Sequence, residues 1–200
     1  ARVYSINAGG SLGSPIFTSG PLTQRYMPTD GYNHVVIHGS YLILPSHSDR
    51  KVLVIDMDQG TGIANTIQAD TTMTHYNSGH AFGKAAAMND DYVCITAKDI
   101  VQMGQSTYNN VFCYETANIK NSGVSPVKTF SSLNANTHFG QNMVISGDYL
   151  CVGEYDENKV YRYDLRLGSV QTPKVYSTPT GSSDNEFGKV LRTSQVNALV

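Results

Sequence analysis

A five-residue pattern recurs four times along the 200 residues, and any fold must accommodate every copy. The copies are Val3-Tyr4-Ser5-Ile6-Asn7, Val52-Leu53-Val54-Ile55-Asp56, Val111-Phe112-Cys113-Tyr114-Glu115 and Val160-Tyr161-Arg162-Tyr163-Asp164. Each alternates large and small positions and stops at a short polar or acidic residue, which reads as a β-strand running into a turn. The leading valines are separated by 49, 59 and 49 residues. Self-similarity at that period points to stacked supersecondary units, not to one irregular core.

Three further elements travel with the pattern. An apolar stretch opened by Phe82-Gly83, Phe139-Gly140 or Phe187-Gly188 comes first. It leads through a tight turn, Asn89-Asp90-Asp91 or Ser146-Gly147-Asp148, into an aromatic-led strand. Those strands are Tyr41-Leu42-Ile43-Leu44, Tyr92-Val93-Cys94-Ile95 and Tyr149-Leu150-Cys151-Val152, with a fainter copy in Asn197-Ala198-Leu199-Val200. Turns built on Gly, Asn and Asp suit two-residue hairpins, because those residues tolerate positive φ. After the valine strand come Ile16-Phe17-Thr18, Asn65-Thr66-Ile67, Lys128-Thr129-Phe130 and Lys174-Val175-Tyr176. The unit is therefore four short strands, here positions A to D. Ala85-Ala86-Ala87 would favour a helix in isolation. Its counterparts Val35-Val36-Ile37 and Met143-Val144-Ile145 are β-formers, and the repeat outweighs local propensity.

The expected fold is all-β: a β-propeller of four-stranded antiparallel blades, since a single such sheet cannot bury both faces but radial neighbours can. The blades span about 30–76, 80–132 and 137–180, with half-blades at 1–29 (C and D) and 186–200 (A and B). This reads as part of a larger ring, with a closed four-bladed ring as the alternative. The whole 1–200 span is one propeller region.

Composition removes several functions. Fourteen Lys and Arg against 16 Asp and Glu give a formal net charge of −2, and no basic run stands out, so phosphate-neutralising nucleic-acid binding is not expected. No apolar stretch approaches the length of a membrane span, so no membrane insertion is expected. Three cysteines make no disulfide framework. Cys94 and Cys151 share the repeat position of Ile43, the reading of a small buried apolar thiol; a Cys94–Cys113 bridge across strands B and C is the other reading.

Phe139-Gly140, the turn Gly147-Asp148, and Tyr149-Leu150-Cys151-Val152-Gly153 followed by Val160-Tyr161-Arg162-Tyr163 resemble the FG-GAP repeat of integrin-α-type β-propellers. Phe-Gly with a Tyr ten residues on occurs twice, at Phe82/Tyr92 and Phe139/Tyr149. The family's Asp-x-Asp-x-Asp-Gly calcium loop is missing: the A–B turns at 38–40, 89–91 and 146–148 are too short to wrap a cation needing six to eight oxygens. Gly153-Glu154-Tyr155 stands where a Gly-Ala-Pro element belongs. The resemblance implies an adhesion or assembly module without the family's calcium.

Catalytic motifs are weak. Gly9-Gly10-Ser11-Leu12-Gly13 fits the Gly-x-Ser-x-Gly pattern, but a nucleophile elbow needs a following helix, and Pro15-Ile16-Phe17 starts a strand. Asp56-Met57-Asp58-Gln59-Gly60 lacks the distal Glu of a calcium loop and reads as a C–D turn. His34, His75, His80 and His138 fall in D–A connections without matched acidic co-ligands, so no metal and no cofactor are expected. The B–C loops vary in length and charge while the strands repeat, and variable loops on a fixed scaffold are where recognition usually sits. His47, Asp49, Met103, Tyr108, Glu154, Tyr155 and Asp156 are the candidate partner-binding residues, with the Lys98 to Asn110 loop foremost. Asp30, His80, His138 and Glu186 are expected at a channel mouth. The sequence thus reads as a non-catalytic structural or adhesive module, extracellular, cell-surface or on a virion, meeting a protein or glycan partner and belonging to a larger assembly. The alternative is a glycan-acting enzyme or lectin at the channel mouth.

Overall fold

A computed structural model describes residues 2–6, 11–18, 35–46, 51–59, 65–68, 82–100, 107–132, 138–178 and 187–192. Strands β1 (Arg2–Ile6) and β2 (Leu12–Thr18) form an antiparallel hairpin. Three four-stranded meanders follow. The first comprises β3 (Val36–His38), β4 (Tyr41–Ser46), β5 (Lys51–Asp56) and β6 (Asn65–Gln68). The second has β7 (Ala86–Met88), β8 (Tyr92–Ile100), β9 (Thr107–Glu115) and β10 (Lys128–Ser131). The third has β11 (Met143–Ser146), β12 (Tyr149–Glu154), β13 (Lys159–Asp164) and β14 (Lys174–Ser177). All pairings are antiparallel, and the only helical turns among the described residues are 3-10 turns at Met57–Gln59, Thr116–Asn118 and Tyr155–Glu157. The described sheets do not close a ring.

The repeat positions coincide in space. Val52, Val111 and Val160 stand opposite Pro45, Thr96 and Gly153, each four residues after the leading Tyr of its strand. Ala86 and Ala87 pair with Ile95 and Cys94, so the alanine run is a strand. Small residues suit it there, because β7 lies between β3 and β11, and apolar residues of the first two sheets pack together, as do those of the second and third. One buried cluster joins Ile43, Val52 and Val54 to Val93, Ile95, Phe112 and Tyr114. A second joins Ala87, Cys94, Val111 and Phe130 to Phe139, Leu150, Tyr161 and Tyr163. Each sheet thus buries what it cannot cover alone, at about 1.5–3 kcal/mol per large apolar side chain.

The Phe-Gly element is a spacer between sheets. Gly83, Gly140 and Gly188 all hold positive φ (81°, 77° and 86°), and Phe139 is fully buried with its ring edge-on to Tyr161 at 5.6 Å. Gly140 donates to Gly153 O within its own sheet and rests on Thr96 and Val111 of the preceding one, where Thr96 Oγ1 donates to Gly140 O at 2.5 Å. Gly188 rests in the same way on Gly153 and Val160.

Three sequence expectations need correction. Cys94 and Cys113 form a disulfide, with Cα atoms 4.0 Å apart, leaving Cys151 as the free thiol among the described residues. The two residues face each other in the β8–β9 register, and the Cys113 carbonyl turns away to accept from Val127 N–H. They are therefore a non-hydrogen-bonded cross-strand pair, the closest approach an antiparallel ladder offers. The Lys98 to Asn110 segment is mostly strand, not loop: pairing continues through Lys98–Asn109, Asp99–Tyr108 and Ile100–Thr107, so Tyr108 lies on a ribbon. Glu154, expected in a contact loop, is wholly buried at the end of β12.

Candidate functional site

The two ends of the sheet stack differ. At the short-turn end one backbone hydrogen bond recurs in every sheet: Met57 N–H to Ser40 O, Thr116 N–H to Asp91 O and Leu165 N–H to Asp148 O, at 2.8, 2.9 and 2.8 Å. It ties the residue after strand C to the A–B turn. Side chains then tie sheet to sheet. His38 Nε2 meets Asp90 Oδ1 at 2.7 Å, and Asn89 Nδ2 donates to Gly147 O at 3.0 Å. Lys120 Nζ donates to the buried Asp56 carboxylate at 3.0 Å, and this ammonium holds the Asp56 carboxyl below the usual carboxylate range. Arg166 chelates Asp164, at 2.6 Å from Nη2, and holds its carboxyl down to about 2. Beside these contacts this end holds a pocket of about 400 Å³ between the second and third sheets, lined by Asn89, Asp91, Glu115, Asp148 and Arg166 among others.

The opposite end carries the B–C connections and the D–A connection before the third sheet. The expectation that these loops share a face holds where both are described, because His138 and the Tyr155–Glu157 turn touch. The His138 backbone N–H donates to Asp156 Oδ2 at 2.9 Å, and His138 Nδ1 meets the same oxygen. The His138 and Tyr155 rings stack at 4.7 Å and 17°. Lys189 Nζ lies 6.0 Å from the Tyr155 ring centroid. Asn158, at φ 53°, ends the turn in the left-handed region that Asn tolerates best after Gly. His138, Tyr155 and Asp156 are thus brought together, and Lys189, which no sequence motif flagged, joins them.

Glu154 points inward instead. Its carboxylate accepts from Ser132 Oγ at 2.7 Å and from Tyr161 Oη at 2.6 Å. Burial, with that carboxylate beside it, holds the Tyr161 hydroxyl pKa well above that of free tyrosine. Glu154 therefore joins the second and third sheets. The signal was in the repeat: Glu154 is the last residue of strand B, not the first of a loop. His47, Asp49, Met103, Asp30, His80 and Glu186 lie outside the described residues.

Between the two ends runs a groove of about 650 Å³, lined by β3, β7 and β11 together with Leu191 and Arg192. Its walls mix Val35, Ile37 and Val144 with His38, Asn142 and Asp148. Among the described residues no group of three or more His, Cys, Asp or Glu is arranged to hold a metal. Gly13 lies within β2, so the Gly-x-Ser-x-Gly match runs into a strand. No described helix is long and apolar enough to cross a membrane. No protein-family model matches the chain, and no curated protein is detectably similar to it.

Proposed function

We propose that this chain is a β-propeller-type, non-catalytic structural or adhesive module that offers one loop face to a protein or glycan partner. The observation that carries the reading is the asymmetry of the stack. One end repeats the same stitched turn three times, whereas the described residues of the other bear two unlike structures, the β8–β9 ribbon of the second sheet and the His138–Tyr155–Asp156 cluster of the third. A regular frame with one irregular face is the usual division between support and recognition. The FG-GAP resemblance rests on the residues that carry it and adds the adhesive setting by analogy alone. An extracellular, cell-surface or virion location agrees with the Cys94–Cys113 bridge, since disulfides persist in oxidising environments.

A lectin is the second reading, favoured by the Tyr155 ring beside the polar His138–Asp156 pair. A glycan array separates it from protein recognition. The test uses the full chain against that array and against candidate protein partners. Shortening residues 101–106, and separately Tyr155→Ala with Asp156→Ala, is expected to reduce binding at least tenfold with an unchanged melting temperature. Binding that survives both changes refutes the loop-face assignment.

A further inference from the structure

The joint between the second and third sheets shows what a complete sheet-to-sheet contact contains. The Phe-Gly turn of the later sheet seats on Thr96 and Val111. Along the outer strand of the earlier sheet, Thr129 N–H donates to Ser169 Oγ and Lys128 Nζ donates to Leu167 O. Phe130 of that strand is buried against Tyr163, ring centroids 4.3 Å apart.

On the far side of the third sheet the described residues make only the first part of this contact. Gly188 seats on Gly153, and Leu191 N–H donates to Asn142 Oδ1 at 3.0 Å. The register makes Lys174, Val175 and Tyr176 the equivalents of Lys128, Thr129 and Phe130. All of β14 is exposed: Val175 is 45% and Tyr176 37% accessible, where Phe130 is 2%. What covers Phe130 in the complete joint is strand C and the connection after it: Tyr163 lies against its ring, and Leu167 and Ser169 meet Lys128 and Thr129. In the β1–β2 hairpin β1 is strand C by repeat position, with Ile6 at the position of Tyr163, and among the described residues the hairpin pairs with no other strand. At the other end of the stack Val35 and Ile37 are 58% and 62% exposed, although Leu42, Leu44, Leu53 and Ile55 on the face of the first sheet turned from the second are buried.

We propose that the open outer side of the third sheet is an interface for a second copy of this chain, which lays its β1–β2 hairpin along β14. The interface continues one already built into the molecule, and the two incomplete halves are complementary. Exchange in both directions makes two such joints and closes a two-chain ring, as a head-to-tail contact requires if it is not to grow into a filament. This rests on the sheets themselves and not on the loop-face reading, whose partner assays can fail without touching it.

Size-exclusion chromatography with light scattering on the full chain is expected to give twice the 21.7 kDa of one chain at micromolar concentration. Tyr176→Asp, and independently Lys174→Glu, are expected to return it to one-chain mass with the circular dichroism spectrum unchanged. Both side chains are solvent-facing within the single chain, so neither substitution breaches a core. A one-chain mass for the unaltered protein overturns the proposal. So does a two-chain mass that both variants leave intact.

Discussion

Replacing Gly153 by alanine tests the sheet-to-sheet joint directly. An added Cβ would sit 2.0 Å from the Gly188 carbonyl oxygen and 2.9 Å from the Gly188 carbonyl carbon. These are backbone atoms, so no rotamer change relieves the clash, and a separation of roughly 1.5 Å more is needed to reach ordinary contact. Gly153 carries no left-handed strain, and the whole effect is therefore steric. The third sheet's ladders with β11 and β13 remain available, so the least costly response is release of residues 187–192. That loses the Leu191–Asn142 hydrogen bond and uncovers Val160, Gly153 and Asn142. Overpacking costs about 1–3 kcal/mol and a net hydrogen bond about 1 kcal/mol, giving a loss of about 2–4 kcal/mol. In a 200-residue chain this lowers the melting temperature by about 4–16 °C. Gly147→Ala is the control: its φ is also positive, at 55°, but its Cβ meets nothing within 4 Å, so only a backbone cost of about 1–2 kcal/mol applies. Thermal unfolding gives the size of each effect, and amide hydrogen exchange gives its place, with faster exchange at Leu191 for Gly153→Ala alone. If Gly153→Ala costs no more than Gly147→Ala and Leu191 exchange is unchanged, the Phe-Gly turn is not the spacer described above.

Thiol titration of the denatured, unreduced chain is expected to find one reactive cysteine, and three after reduction; Cys94→Ser with Cys113→Ser should cost about 3 kcal/mol, the entropy of opening a loop of 19 residues, read by denaturant unfolding. Tyr161→Phe leaves Glu154 Oε2 without its donor in a buried site, and a loss of about 1–3 kcal/mol is expected in the same assay. Asp56 has a folded pKa below its unfolded value near 4, so its contribution is fully present above about pH 4 and disappears as pH falls through the folded pKa. Asp56→Asn should therefore flatten the acid limb of a stability–pH curve, and an unaltered limb refutes the role given to the Asp56–Lys120 pair.

The frame was legible because periodicity is a collective signal. Four valines, three Phe-Gly pairs and three aromatic-led strands constrain one another, and even the alanine run at 85–87 could be assigned against its own helix propensity. Side-chain direction at strand ends was not legible. Glu154 was misassigned because charge suggests solvent, whereas Ser132 and Tyr161 arrive from 22 residues before and seven after to satisfy it. The Cys94–Cys113 bridge depends on cross-strand register, which one-residue slips alter and spacing alone does not fix. The β8–β9 ribbon was obscured by its Asn-rich end, since Asn109 and Asn110 are turn-formers by propensity but here only prolong an existing ladder. The His138 cluster was half visible: Tyr155 and Asp156 were singled out together as partner-binding residues, but His138 was assigned to a channel mouth.

The bond between strand C's end and the A–B turn uses only main-chain atoms in all three sheets, whatever side chains flank it. A fastener of that kind is indifferent to sequence, so mutation can rewrite the opposite rim without loosening the frame. The same property suits the molecule to engineering: foreign peptides grafted between residues 100 and 107 would be displayed on a ribbon whose anchorage does not depend on their composition.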